Sequence, residues 1–111
     1  MAARRPPRRG EIWLAALDPT LGSEIQKTRP CVVVSPPEMN EHLRTMIVAP
    51  MTTGSRPAPF RIPITFQRKS GLILLDQLRT LDRQRLVKRL GTVKPATLGG
   101  VLDGLQAMFA P

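Results

Sequence analysis

Hydrophobic positions along this chain fall in short runs punctuated by proline, glycine and charge. Glu11–Leu17 is apolar at nearly every position, the pattern of a strand covered on both faces. Cys31–Val34, opened by Pro30 and stopped by Pro36 and Pro37, is a β-branched run and the strongest strand signal. Thr45–Met51 reads as the next strand, and Pro50 near its end predicts an edge or a bulge there. Phe60, Ile62, Ile64 and Phe66 alternate with Arg61, Pro63 and Thr65, a period of two that predicts a half-buried strand. Leu72–Leu75 and Leu86–Val93 complete the strands, and Glu38–Leu43 predicts one short helical turn. Three polar stretches lie between them: Asp18–Thr28, Thr52–Pro59 and the cluster Asp76–Asp82.

The period then changes. Pro95 suits the first turn of a helix, where a missing N–H costs nothing. Leu98, Val101, Leu102, Leu105, Met108 and Phe109 recur at helical spacing, so one face should dock on the sheet. Gly99, Gly100 and Gly104 weaken that helix in isolation, which makes it dependent on docking. Short strands with one terminal helix predict a mainly β fold, a small antiparallel barrel or curled sheet, as a single domain over residues 10–111. Residues 1–9 hold four arginines, two prolines and no acid; they are expected to form a flexible basic arm ending at Gly10.

Composition narrows the function. A length of 111 residues suits one domain. Seventeen Lys and Arg against eight Asp and Glu leave a charge of +9, which points to a polyanion or an acidic protein partner. The apolar runs Met46–Met51 and Leu72–Leu75 fall far short of the roughly 20 residues a membrane helix needs, so no membrane role is expected. No apolar segment follows the basic N-terminus, and the lone Cys31 forbids an internal disulfide; a reducing cytoplasm is the expected location. Cys31 and Trp13 read as core, and the single His42 as a solvated side chain. No metal-ligand spacing occurs, so neither metal nor other cofactor is expected.

Candidate chemistry lies in the polar loops. Arg29 offers a planar fork of donors suited to phosphate oxygens, Thr52 a neutral hydroxyl, and Glu24 the carboxylate nearest in sequence to Arg29 within its loop. The stretches Gly10-Glu11-Ile12-Trp13, Asp18-Pro19-Thr20 with Gly22-Ser23-Glu24, Lys27-Thr28-Arg29-Pro30, Val48-Ala49-Pro50-Met51-Thr52-Thr53, and Leu75-Asp76-Gln77-Leu78-Arg79-Thr80-Leu81-Asp82 together resemble the MazF/PemK-type toxins of bacterial toxin–antitoxin systems. They occur in that family's order and spacing and span nearly the whole chain from residue 10.

The resemblance implies a homodimer of SH3-like barrels that cuts single-stranded RNA at short motifs, without metal. It implies attack of a ribose 2′-OH on the adjacent phosphodiester, leaving a 2′,3′-cyclic phosphate and a 5′-OH. Arg29 and Thr52 match the family's two key catalytic positions, and Glu24 matches an acidic residue implicated in some members. Asp76 and Gln77 match positions that assist catalysis or contact bases, with Lys27, Thr28, Thr53 and Arg79 as further substrate-binding candidates. Some members carry His directly before the catalytic Arg; Thr28 stands here, so the base must be Glu24, Asp76 or the Arg29/Thr52 pair. The resemblance also implies a MazE-like antitoxin with an acidic, largely disordered tail.

Two other functions compete. A gyrase-poisoning toxin of the same fold characteristically relies on a C-terminal Trp, whereas this chain ends Met108-Phe109-Ala110-Pro111. A plain nucleic-acid-binding barrel needs a stacking platform, and four aromatics in all leave few for one.

Overall fold

The computed structural model describes residues 5–111. Seven strands, all paired antiparallel, run β1 (Glu11–Ala16), β2 (Thr28–Val33), β3 (Thr45–Thr52), β4 (Arg61–Phe66), β5 (Lys69–Leu74), β6 (Arg79–Asp82) and β7 (Leu86–Thr92). The sheet order is β4-β5-β3-β2-β1-β7, with β6 also on β3, so the sheet curls into a half-barrel. A one-turn helix α1 (Pro37–Asn40) links β2 to β3, and α2 (Pro95–Phe109) closes the chain. The expected mainly β architecture with a C-terminal helix is the one observed.

The central strands read as continuously apolar because both of their faces are covered. Ile12, Val32, Val34, Ala49 and Met51 enter one core with Ile73, Leu75, Val93 and Val101. Their alternates Trp13, Ala15, Cys31, Val33 and Val48 enter a second with Leu17, Met46, Leu81 and Leu86. Helix α2 covers the first core through Val101, Leu98, Leu105 and Met108. A side chain at Gly104 would sit 2.7 Å from Leu75, so that glycine lets the helix approach the sheet closely. Burial pushes the Cys31 thiol up to about 12, consistent with a core position rather than a nucleophile.

Two expectations need correction. Pro50 marks neither an edge nor a bulge. It falls where β3 has left β6, paired through Val48, and has not yet met β5, paired from Met51, so its missing N–H lies in that interval. The basic arm is also not free over its described part. Pro7 is buried, Arg9 Nε donates to the Val34 carbonyl at 2.9 Å, and Arg8 N–H donates to Glu11 Oε1 at 2.8 Å. The remainder of the arm, residues 1–4, lies outside the described residues.

Glu11 holds this corner. Only 3% exposed, its carboxylate accepts from Arg5, Arg8 N–H, Trp13 Nε1 and Arg89 Nε. Burial alone would raise its pKa, but these donors more than offset that and hold the carboxyl at about 2. A depressed carboxylate adds stability that is present above the unfolded value near 4.5 and lost as pH falls through about 2. Glu11→Gln should therefore cost about 1.5–3 kcal/mol at neutral pH, the range for charged hydrogen bonds, because the exposed Arg5 and Arg89 regain water. Urea midpoints from pH 7 down to pH 2 should fall for the parent chain and converge on those of the variant at the acid end.

Candidate active site

Cys31 lies opposite Pro50 in the β2–β3 ladder, and carrying that register two residues further sets Arg29 opposite Thr52. Both side chains line one cleft of about 180 Å³, with Thr53, Phe66, Lys69 and Gly71 among its walls. Arg29 is half-buried, and its Nε donates to the Gln26 carbonyl at 3.2 Å. That bond uses the Nε–H of the guanidinium and leaves the donors on its two terminal nitrogens for another partner. Thr52 Oγ1 accepts from Gly54 N–H at 3.2 Å, as a turn residue does, and the hydroxyl proton can still be donated. The cleft thus holds a guanidinium and a hydroxyl in its lining.

Glu24 is not brought to this pair. Its Oε1 accepts from Leu21 N–H at 2.8 Å inside its own loop. It lines a separate cleft of about 620 Å³ with Ile25, Pro50, Asp76, Gln77 and Arg79. Among the described residues it forms no ion pair with Arg29. Asp76 is also committed: Arg61 donates to both its carboxylate oxygens, at 3.2 and 3.1 Å, and to the Arg56 carbonyl at 3.2 Å. Gln77 Oε1 accepts from Ile25 N–H at 2.8 Å and its amide nitrogen donates to the Ser23 carbonyl at 3.4 Å. Arg79 donates to the Leu17 carbonyl at 3.0 Å.

Of the remaining candidates, Thr53 lines the first cleft, and Lys27 and Thr28 precede Arg29 in the chain. Lys27 is exposed with φ of +68°, its N–H held by Asp18 Oδ1 at 2.9 Å. Thr28 begins β2 opposite Ala16, and Thr53 is exposed on the cleft wall. His42 is exposed, well away in sequence from these strand ends. Among the described residues no group of three or more His, Cys, Asp or Glu is placed to hold a metal ion. No helix among the described residues is long and apolar enough to cross a membrane.

Residues 8–109 match the family described as the PemK-like, MazF-like toxin of type II toxin–antitoxin systems. The chain belongs to this family. Endoribonuclease PemK of Escherichia coli is 40% identical over 107 residues, covering 91% of this chain and 80% of that protein. The crystal structure of MazF from Deinococcus radiodurans superposes with a TM-score of 0.83 at 27% identity, covering 95% of this chain and 97% of that one. A mycobacterial endoribonuclease in complex with its cognate antitoxin superposes with a TM-score of 0.79 at 25% identity, covering 95% and 97%. The family assignment carries the fold and the toxin class, and it agrees with the motifs that first suggested it.

Sequence reasoning overlooked Gly71 and Phe66 as parts of the Arg29 cleft. Gly71 has a distinct reason to be glycine: a Cβ there would stand 2.7 Å from the Thr52 carbonyl oxygen, closer than real contacts allow. Nothing local in Lys69-Ser70-Gly71-Leu72 announces that, because the close approach is made across the β3–β5 ladder. Gly71→Ala should displace the Thr52 backbone and cost about 1–3 kcal/mol, the usual range for overpacking. Urea denaturation reads the cost, and the amide shifts of Thr52 and Thr53 read the displacement.

Proposed function

We propose that the protein is an endoribonuclease toxin that cuts single-stranded RNA at short motifs by attack of a ribose 2′-OH on its own phosphodiester. The products are a 2′,3′-cyclic phosphate and a 5′-OH, and no metal takes part. One observation carries this reading: Arg29 and Thr52, at the ends of β2 and β3, line the same cleft. The relatives described as endoribonucleases support the same reaction class.

The chemistry follows from the groups present. Attack of the 2′-OH crowds negative charge onto the phosphate, and the Arg29 fork can hold two of its oxygens. A guanidinium is a poor proton acceptor, so its role is charge stabilisation. Thr52 donates to an oxygen of the same phosphate or holds the attacking hydroxyl. The 2′ proton is lost and the departing 5′-oxygen gains one; no water is consumed. With Glu24 on Leu21 N–H and Asp76 in the Arg61 fork, the Arg29/Thr52 pair is the remaining member of the three candidate bases. Catalysis here would rest on charge and positioning more than on a dedicated base.

Two partners complete the proposal. The active form is a homodimer, and a cognate antitoxin with an acidic tail covers the clefts, matching the +9 charge of the chain. The antitoxin complex of the mycobacterial endoribonuclease supports such a partner.

Incubating a long single-stranded RNA with the purified protein in EDTA should give specific cuts with cyclic-phosphate ends. Arg29→Ala should lose on the order of 10²–10³ in rate with a nearly unchanged thermal midpoint, as expected for removing a half-buried transition-state donor at the start of β2. Parental turnover in that variant would remove Arg29 from the site. Affinity for a non-cleavable 2′-O-methyl RNA should fall linearly on a log–log plot against salt, because bound phosphates release counterions. An acidic antitoxin-tail peptide at saturation should abolish that binding, whereas unchanged RNA affinity would put the peptide elsewhere.

A further inference from the structure

Gln77 was expected to read a base or assist the chemistry directly, but its amide is occupied. Its Oε1 holds Ile25 N–H at 2.8 Å and its Nε2 reaches the Ser23 carbonyl at 3.4 Å, both more than fifty residues away in sequence. Ile25 precedes Gln26, whose carbonyl accepts from Arg29 Nε at 3.2 Å. The three contacts form a chain from the one-turn helix after β5 (Leu75–Gln77), through the Ile25–Gln26 main chain, to the guanidinium of the candidate catalytic cleft. Among the described residues, the stretch around Ser23 and Glu24 is otherwise bonded only within its own loop, through Glu24 N–H to the Leu21 carbonyl and Leu21 N–H to Glu24 Oε1. Leu21 there is 81% exposed. The arginines that pin the same loop act at its base instead, on Ala16, Leu17 and Asp18 carbonyls.

We infer that Gln77 is a positioning residue for Arg29: it anchors the main chain at the Ile25 N–H, and the next residue's carbonyl, that of Gln26, holds Arg29 Nε. This rests on the endoribonuclease reading for its kinetic consequence, but not for the contact relay itself. A guanidinium has several rotatable bonds, and one bond at Nε restricts the plane in which its two terminal nitrogens can meet a phosphate. Loss of the anchor leaves RNA attraction intact, since the charge remains, and spoils alignment. The signature is therefore a fall in kcat with little change in binding.

The test uses Gln77→Leu, which removes both hydrogen bonds, and Gln77→Glu, which keeps an acceptor for Ile25 N–H. On a short RNA substrate, Gln77→Leu should lower kcat by on the order of tenfold to a hundredfold, the scale of a misplaced catalytic group, and leave KM nearly unchanged. Gln77→Glu should restore most of the loss, and the cleavage motif should be the same in both. In parallel, NMR should find the Arg29 Nε–H and the Ile25 amide slow to exchange with water in the parent chain and fast in Gln77→Leu. That readout needs no RNA: faster exchange with no RNA cleavage by any form would sink the endoribonuclease reading and keep the relay. A changed cleavage motif in Gln77→Leu would make Gln77 a base reader and overturn the inference. So would an Arg29 Nε–H that exchanges equally fast in both proteins.

Discussion

Two-sided burial of β1, β2 and β3 is the constraint on which the rest of the molecule depends. Successive residues of each strand enter opposite cores, so polar side chains are confined to strand ends. Glu11 stands at one end of β1, and Arg29 and Thr52 extend β2 and β3 at the other, beside Ala15 and Leu72 respectively. The stability-bearing carboxylate and the candidate catalytic pair are thereby set at opposite ends of the same rigid centre. A site built on the ends of strands held from both faces inherits their rigidity, while its loops remain free to shape what they bind.

Much of the positive charge also serves the fold. Arg9, Arg79, Arg83 and Arg85 donate to main-chain carbonyls of Val34, Leu17, Asn40 and Ala16, and Arg5, Arg61 and Arg89 pair with carboxylates. The segment from Arg79 to Arg89 looks in sequence like a phosphate-binding cluster, yet its four arginines are bonded to carbonyls or to Glu11 through at least one nitrogen each. They still contribute to the field that draws in a polyanion. Their geometry, however, is set by the loops and strands they tie together.

The elements carried by strong periodicity were legible: β1, β2, β3, β4, β7 and α2 lie within a few residues of where the pattern puts them. β6 was not, because Arg79-Thr80-Leu81-Asp82 offers a single buried apolar residue, Leu81, and four residues cannot display a period. The early start of β5 at Lys69 was hidden by its turn. Gln67 and Arg68 both take positive φ, +52° and +63°, in a two-residue hairpin that usually announces itself with Asn-Gly. Of the site, Arg29 and Thr52 were legible from the family motifs, and their opposition follows from register. The engagement of Asp76 and Gln77 was not, since each is taken by a partner that only the folded chain brings near, and Glu24 is held by a local turn contact to Leu21 N–H that no sequence pattern announced.

That engagement has an electrostatic logic. A free carboxylate about 4 Å from a bound phosphate would repel it by roughly 4 kcal/mol at the effective dielectric of a protein surface. Asp76 is neutralised by the Arg61 fork, and the Glu24 oxygen is turned onto a main-chain N–H of its own loop. The cleft between β2 and β3 is left with Arg29 and Lys69 as its charged lining groups, both cationic. The same carboxylates, had they faced Arg29, would have supplied a base at the expense of that charge. An arrangement that keeps them occupied elsewhere fits the proposed gathering of a phosphate by the Arg29 guanidinium and the Thr52 hydroxyl, with charge stabilisation in place of a dedicated carboxylate base.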